Sequence, residues 1–175
     1  MGRSSNQNQN PSSVNQQPWQ PRRDNIVPEA GDDAYCNRKQ PAEPAQCPSC
    51  SAVLHNGHWD WMDSVPAGAQ KAKCPACLRI EDKYPAGFLT LGGAFFQQHR
   101  AEILNLVQNE SSAETAEHPL HRLIATEDAG EGVLITTTDI HLPRRLGEAI
   151  RHAYHGAFYY HYLEDDTILR ASWNR

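Results

Sequence analysis

Two cysteine pairs constrain this chain more than any other feature: Cys47-Pro48-Ser49-Cys50 and Cys74-Pro75-Ala76-Cys77. Each pair can aim two thiolates at one point from a single tight turn, and the two turns together close the tetrahedron that structural zinc prefers. Between them, Ala52 to His55 and His58 to Met62 flank Asn56-Gly57, a hairpin signal with Trp59 and Trp61 on one face. Two knuckles joined by a hairpin predict a zinc ribbon over 47–84, with Cys47, Cys50, Cys74 and Cys77 holding one Zn2+.

A lone CxxC can be a redox motif, but the flanking residues lack its βαβ context. His55 and His58 can substitute for a cysteine ligand. With four thiolates present they read more simply as hairpin side chains. A site closed by four protein ligands keeps no position for water, so catalysis at this metal is not expected.

The segment before the first pair is of a different kind. Residues 1–46 are poor in aliphatic side chains and rich in Asn, Gln, Ser and Pro. They cannot bury enough apolar surface to offset the entropy of ordering, so a disordered tail and linker is expected there. Trp19 reads as a docking anchor or an incidental aromatic, and Cys36 as a free thiol. The first residues lack the apolar core of a secretory signal, and no stretch approaches a membrane span. Cysteines paired for metal suit a reducing compartment, so a soluble cytoplasmic protein is expected. The net charge is -5, and the excess acid falls after residue 46. An overall basic nucleic-acid footprint is therefore absent, and RNA binding would need a local patch.

Residues 85–175 predict a second, larger unit. Phe88 to Leu91 is a strand, residues 94–113 carry apolar side chains at helical spacing, and Leu120–Thr126 and Val133–Thr138 form a hairpin around 128–132. Asp139 is placed to cap a helix carrying Leu142, Leu146, Ile150 and Ala153, ended by Gly156. Strands at Ala157–Leu163 and Thr167–Trp173 follow, joined at 164–166. The order is βαββαβ plus one strand, which predicts an α+β, ferredoxin-like domain with helices on one sheet face.

The W-x-W hairpin between CPSC and CPAC, continuing into YPAGFLTLGG, HRAEILNLVQNE and ITTTDIHLPRRLGEAI, resembles a family of small bacterial zinc-ribbon proteins without assigned activity. The likeness spans about residues 45–173. A weaker resemblance, through the paired CxxC knuckles, runs to the Nmd-type adaptors that bind the large ribosomal subunit. It implies RNA or a ribosome as partner, and neither family supplies active-site residues.

Arg144, Arg145 and Arg151 are the candidate phosphate contacts, on one helix among His141, His152 and His155. A solvated helix face balanced by Glu148 is the plainer account. The aromatics of Phe158 to Tyr162 either stack unpaired bases or receive the docked ribbon through Trp59 and Trp61. Gly92-Gly93 can hold an anion before a helix or serve as a turn. Asp139 with His141 can act as an acid–base pair or as a cap. These residues predict a non-enzymatic binding protein contacting RNA or a ribonucleoprotein such as the ribosome. The alternative is a protein–protein adaptor without nucleic acid, which the negative charge favours.

Overall fold

The computed structural model describes Tyr35, residues 41–163 and residues 167–175. Of the tail expected at 1–46, residues 1–40 other than Tyr35, with Trp19 and Cys36, lie outside the described residues, as does the 164–166 turn, whereas 41–46 are described and end in a strand.

The first unit is a small sheet of β1 (Ala45–Gln46), β2 (Val53–His55), β3 (His58–Asp60) and β4 (Gln70–Lys71), in the order β3-β2-β1-β4. The hairpin turn is the one expected: Asn56 and Gly57 both have positive φ, 53° and 82°, as a two-residue turn matched to strand twist requires. The sheet begins two residues before Cys47, because Ala45 and Gln46 pair with both β2 and β4. The second cysteine pair opens a helix, α1 (Pro75–Asp82). Cys74 caps it, its Sγ accepting from the Cys77 N–H at 3.4 Å, and Pro75 takes the first turn, where its missing N–H costs nothing.

The larger unit runs β5 (Gly87–Gly92), α2 (Ala94–Gln98), α3 (Arg100–Glu117), β6 (Leu123–Ala129), β7 (Gly132–Thr137), α4 (His141–Tyr154), β8 (Ala157–Leu163) and β9 (Ile168–Asn174). It is an α+β arrangement with the sheet order β6-β7-β5-β9-β8. β7 is antiparallel to both β5 and β6, which makes β5 and β6 parallel with one strand between them. α4 then carries the chain to the far edge as β8, and β9 turns back into the slot between β8 and β5, parallel to β5.

Alternation along the strands sends Leu89, Leu91, Val133, Ile135, Leu169 and Trp173 into one core. Phe96, Ile103, Val107, Leu142, Leu146 and Ile150 meet them from the helices. The opposite sheet face carries the exposed Thr90, Tyr159, His161, Arg170 and Ser172.

Three expectations change. The helix expected over 94–113 is two helices, broken at His99 (φ -115°, ψ 21°), with α3 running on to Glu117. The break lets Phe96 before it and Ile103 after it both reach the core. β6 starts at Leu123 because residues 118–122 are diverted to hold the first unit. Leu120 packs among the cysteines, and its carbonyl accepts from Thr138 Oγ1 at 2.6 Å.

The tryptophans also sit elsewhere than on the open sheet face. Trp61 Nε1 donates to the Thr115 carbonyl at the end of α3 (2.7 Å), and Trp59 packs on the cysteine cluster. The first unit, expected to dock over β8, is held instead by α3 and the 118–122 segment. The aromatics of β8 are accounted for differently: Phe158, Tyr160 and Tyr162 pack toward the helices.

Candidate metal centre

Cys47 and Cys50 come from the turn between β1 and β2, and Cys74 and Cys77 from the start of α1. In the first turn the Cys47 N–H donates to Ala52 O (2.8 Å) and the Ser51 N–H to Cys47 O (2.9 Å), with Ser51 at φ 70°. The four sulfurs lie within 4.8 Å of one another. Cys50 Sγ and Cys74 Sγ are 3.7 Å apart. A tetrahedron with bonds of about 2.3 Å has edges of about 3.8 Å, so the four thiols can hold one metal ion with little rearrangement. All four are free thiols, and a disulfide would need sulfurs about 2.05 Å apart.

Burial and hydrogen bonding divide the four thiols. Burial, reinforced by the neighbouring thiolates, pushes Cys74 well up, and burial pushes Cys77 up to about 11. Burial also opposes the Cys47 thiolate, but backbone bonds at Cys74, Cys50 and Ser49 outweigh it and bring this group down to about 6. A cation entering the cluster therefore displaces protons from Cys74 and Cys77 and finds Cys47 already ionised near neutrality.

Arg122 is the residue that the sequence reading passed over. Its Nη1 lies 3.5 Å from Cys77 Sγ, its Nε donates to Pro119 O at 2.6 Å, and its guanidinium faces the Trp61 ring at 5.6 Å. Burial works against its charge. The hydrogen bond and charge of Cys50, with the charges of Cys74 and Cys77, more than restore it. Arg122 thus brings a positive charge to the thiolates from the larger unit. His55 and His58 are exposed, face each other across β2 and β3, and stand outside the cysteine group.

The three candidate arginines share α4 without forming one surface. Arg144 pairs with Glu148 at 3.1 Å and lies over Tyr160 of β8. Arg145 turns the other way, to Glu114 (2.6 Å) and Glu110 (3.8 Å) of α3. Arg151 is half-buried two turns beyond Arg144.

Two further alternatives resolve on geometry. Asp139 Oδ2 accepts from the His141 and Leu142 N–H groups at 2.7 and 3.0 Å, so it caps α4. Burial raises its carboxyl, against the opposing pull of His121 and these two N–H groups. At Gly93, the N–H groups of Phe95 and Phe96 donate to Arg175 O (2.8 and 3.3 Å), which occupies the place an anion would take. Comparison of the chain with protein-family models, with curated proteins and with solved structures finds no match.

Proposed function

We propose that this chain is a non-enzymatic binding protein. In this reading a zinc ribbon, its ion purely structural, is packed on a ferredoxin-like domain with one inserted strand and presents a recognition surface to a protein partner. The observation that carries the choice of partner is where the exposed apolar side chains lie. Among the described residues, Trp61, Met62, Val65, Ile80 and Tyr84 are all in or beside the ribbon, against Tyr159 and Leu163 elsewhere. Large exposed apolar side chains gathered on one small unit suit a protein interface better than a phosphate backbone.

Four thiolates at tetrahedral spacing with no open position suit zinc. A cytoplasmic setting accords with four free thiols, and no helix among the described residues is long and apolar enough to cross a membrane.

The RNA or ribonucleoprotein reading keeps one supporting observation: exposed Tyr159, His161 and Arg170 share the open sheet face, where Arg170 lies over Phe88 at 4.5 Å. Arg144 and Arg145, two of the three arginines on which that reading rested with Arg151, are each paired with carboxylates of this chain. Titration of purified, zinc-loaded protein with single-stranded and hairpin RNA at low salt separates the two readings. No binding is expected, while a photo-crosslinker at position 65 captures protein in the native cell. RNA affinity that falls with salt and drops in the Arg144→Gln, Arg145→Gln, Arg151→Gln variant would replace this proposal with the RNA one.

A further inference from the structure

At the end of α3 and in the 118–122 segment, a second constellation has no role in the four-cysteine centre. Glu114 on the last turn of α3, His118 at its end and His121 beyond it each offer one ligand atom, and the three atoms lie within 4.8 Å of one another.

The carboxylate is firmly set. Its side chain is 6% exposed, Oε2 is ion-paired with Arg145 Nη1 at 2.6 Å but accepts no hydrogen bond, and Oε1 faces His121 Nδ1 at 2.9 Å. The His121 backbone is tied back to α3, its carbonyl accepting from Thr115 Oγ1 at 2.7 Å. The His118 ring stands 4.9 Å from that of His121, tilted by 40°. On the opposite edge of His121, Nε2 lies 3.8 Å from Asp139 Oδ2. A carboxylate behind the second ring nitrogen is the device that orients metal-ligating histidines. Asp139 Oδ1 is buried with no hydrogen-bond partner, and the His141 ring is 5.6 Å from His121.

We propose that Glu114, His118 and His121 bind one divalent first-row transition-metal ion, at a site separate from the four cysteines. Imidazole and carboxylate donors together select zinc-like ions over magnesium or calcium. The ion takes the place of the proton between His121 Nδ1 and Glu114 Oε1. Donors around such an ion stand about 3.3 Å apart, and rotation of the exposed His118 ring closes the remaining distance. Three protein donors leave positions open to water or to a group from a partner.

The test is metal content of the full chain, its cysteines loaded with zinc, after equilibrium dialysis against micromolar Co2+. Wild type is expected to hold about two ions per chain, the second a cobalt with weak visible bands and no sulfur charge-transfer band. His118→Ala is expected to hold about one, with its zinc retained. His118 is exposed, and among the described contacts its ring meets only His121, so this change leaves the fold in place. Glu114→Gln, which keeps size and shape, is expected to do the same. Wild type that stops at one ion overturns the site. A second ion that survives both substitutions overturns the assignment to these residues. Neither result depends on which partner the ribbon meets.

Discussion

A zinc ion bound by four thiolates carries a net charge of about −2, and burying that charge is costly unless donors or an opposite charge stand beside it. Cys47 and Cys74 are almost fully buried, and Arg122 approaches the cluster at Cys77. Arg122→Ala removes the guanidinium, its bond to Pro119 O and its stacking partner Trp61 together. Zinc affinity is expected to fall about 10- to 100-fold, read by competition with a chromophoric chelator. Arg122→Lys should recover only part of the loss, because an ammonium cannot span sulfur, carbonyl and ring with one planar group. Unchanged affinity in both variants would remove Arg122 from the centre. The four-cysteine cluster was legible because a CxxC turn is local: the sequence spacing is the geometry. Arg122 was not, since it meets Cys77 across 45 positions of sequence through the docking of one unit on another. Of the α4 arginines, the pairing of Arg144 with Glu148 was legible as an i,i+4 spacing, whereas Glu110 and Glu114, which meet Arg145, lie on a different helix.

At the scale of elements, a glycine in mid-helix shows how α4 meets the sheet. Gly147 is buried on α4, and a Cβ there would stand 2.0 Å from the Phe158 ring. Helix propensity alone favours Gly147→Ala by about 1 kcal/mol. Phe158 belongs to the layer packed on the core, so the ring cannot withdraw without opening that layer. Overpacking of this kind costs about 1–3 kcal/mol, as much as or more than the propensity gain, so net destabilisation in urea unfolding is expected. A more stable variant would mean that Phe158 moves freely. The helices and most strands were legible from periodicity because each buries one face. The place of β9 inside the sheet was not: β8 and β9 alternate alike, and either could have taken the slot beside β5. α1 was missed although its signals are local, with Cys74 as cap and Pro75 in the first turn. The same residues also make the second CPxC knuckle, a pattern that reads as a turn and masks the helix start.

The two units differ in what holds them. Thirteen buried side chains, none of them from the ribbon, form the core of the larger unit. The first unit's cluster at the cysteines consists of Cys47, Cys74 and Ala76, with Cys50, Trp59, Cys77 and Leu120 at its margin. Beside it, among the described residues, only Ala45, Ala52, Val53 and Leu54 are fully buried, and its strands are two or three residues long. So small a core cannot offset the ordering of residues 45–83. A four-thiolate zinc site contributes about 10–16 kcal/mol in peptide models at neutral pH, enough to supply the difference. Stripping the ion with a strong chelator under reducing conditions should therefore act on one unit. Amide protection should disappear across β1–β4 and α1 and persist across β5, β7 and β9, where the strands are central and the core is intact. Residues 118–122 belong to both, because Leu120 packs on the cysteines while Arg122 N–H donates to Thr138 Oγ1 at 2.9 Å. Their protection should fall to an intermediate level, since the loop loses the ribbon but keeps its tether to Thr138. Hydrogen exchange followed by mass spectrometry reads all three segments in one experiment. Protection retained in β2 and β3 after complete metal removal would show that the hairpin folds without the ion. Loss of protection in β5 would show that the larger unit depends on the ribbon it carries.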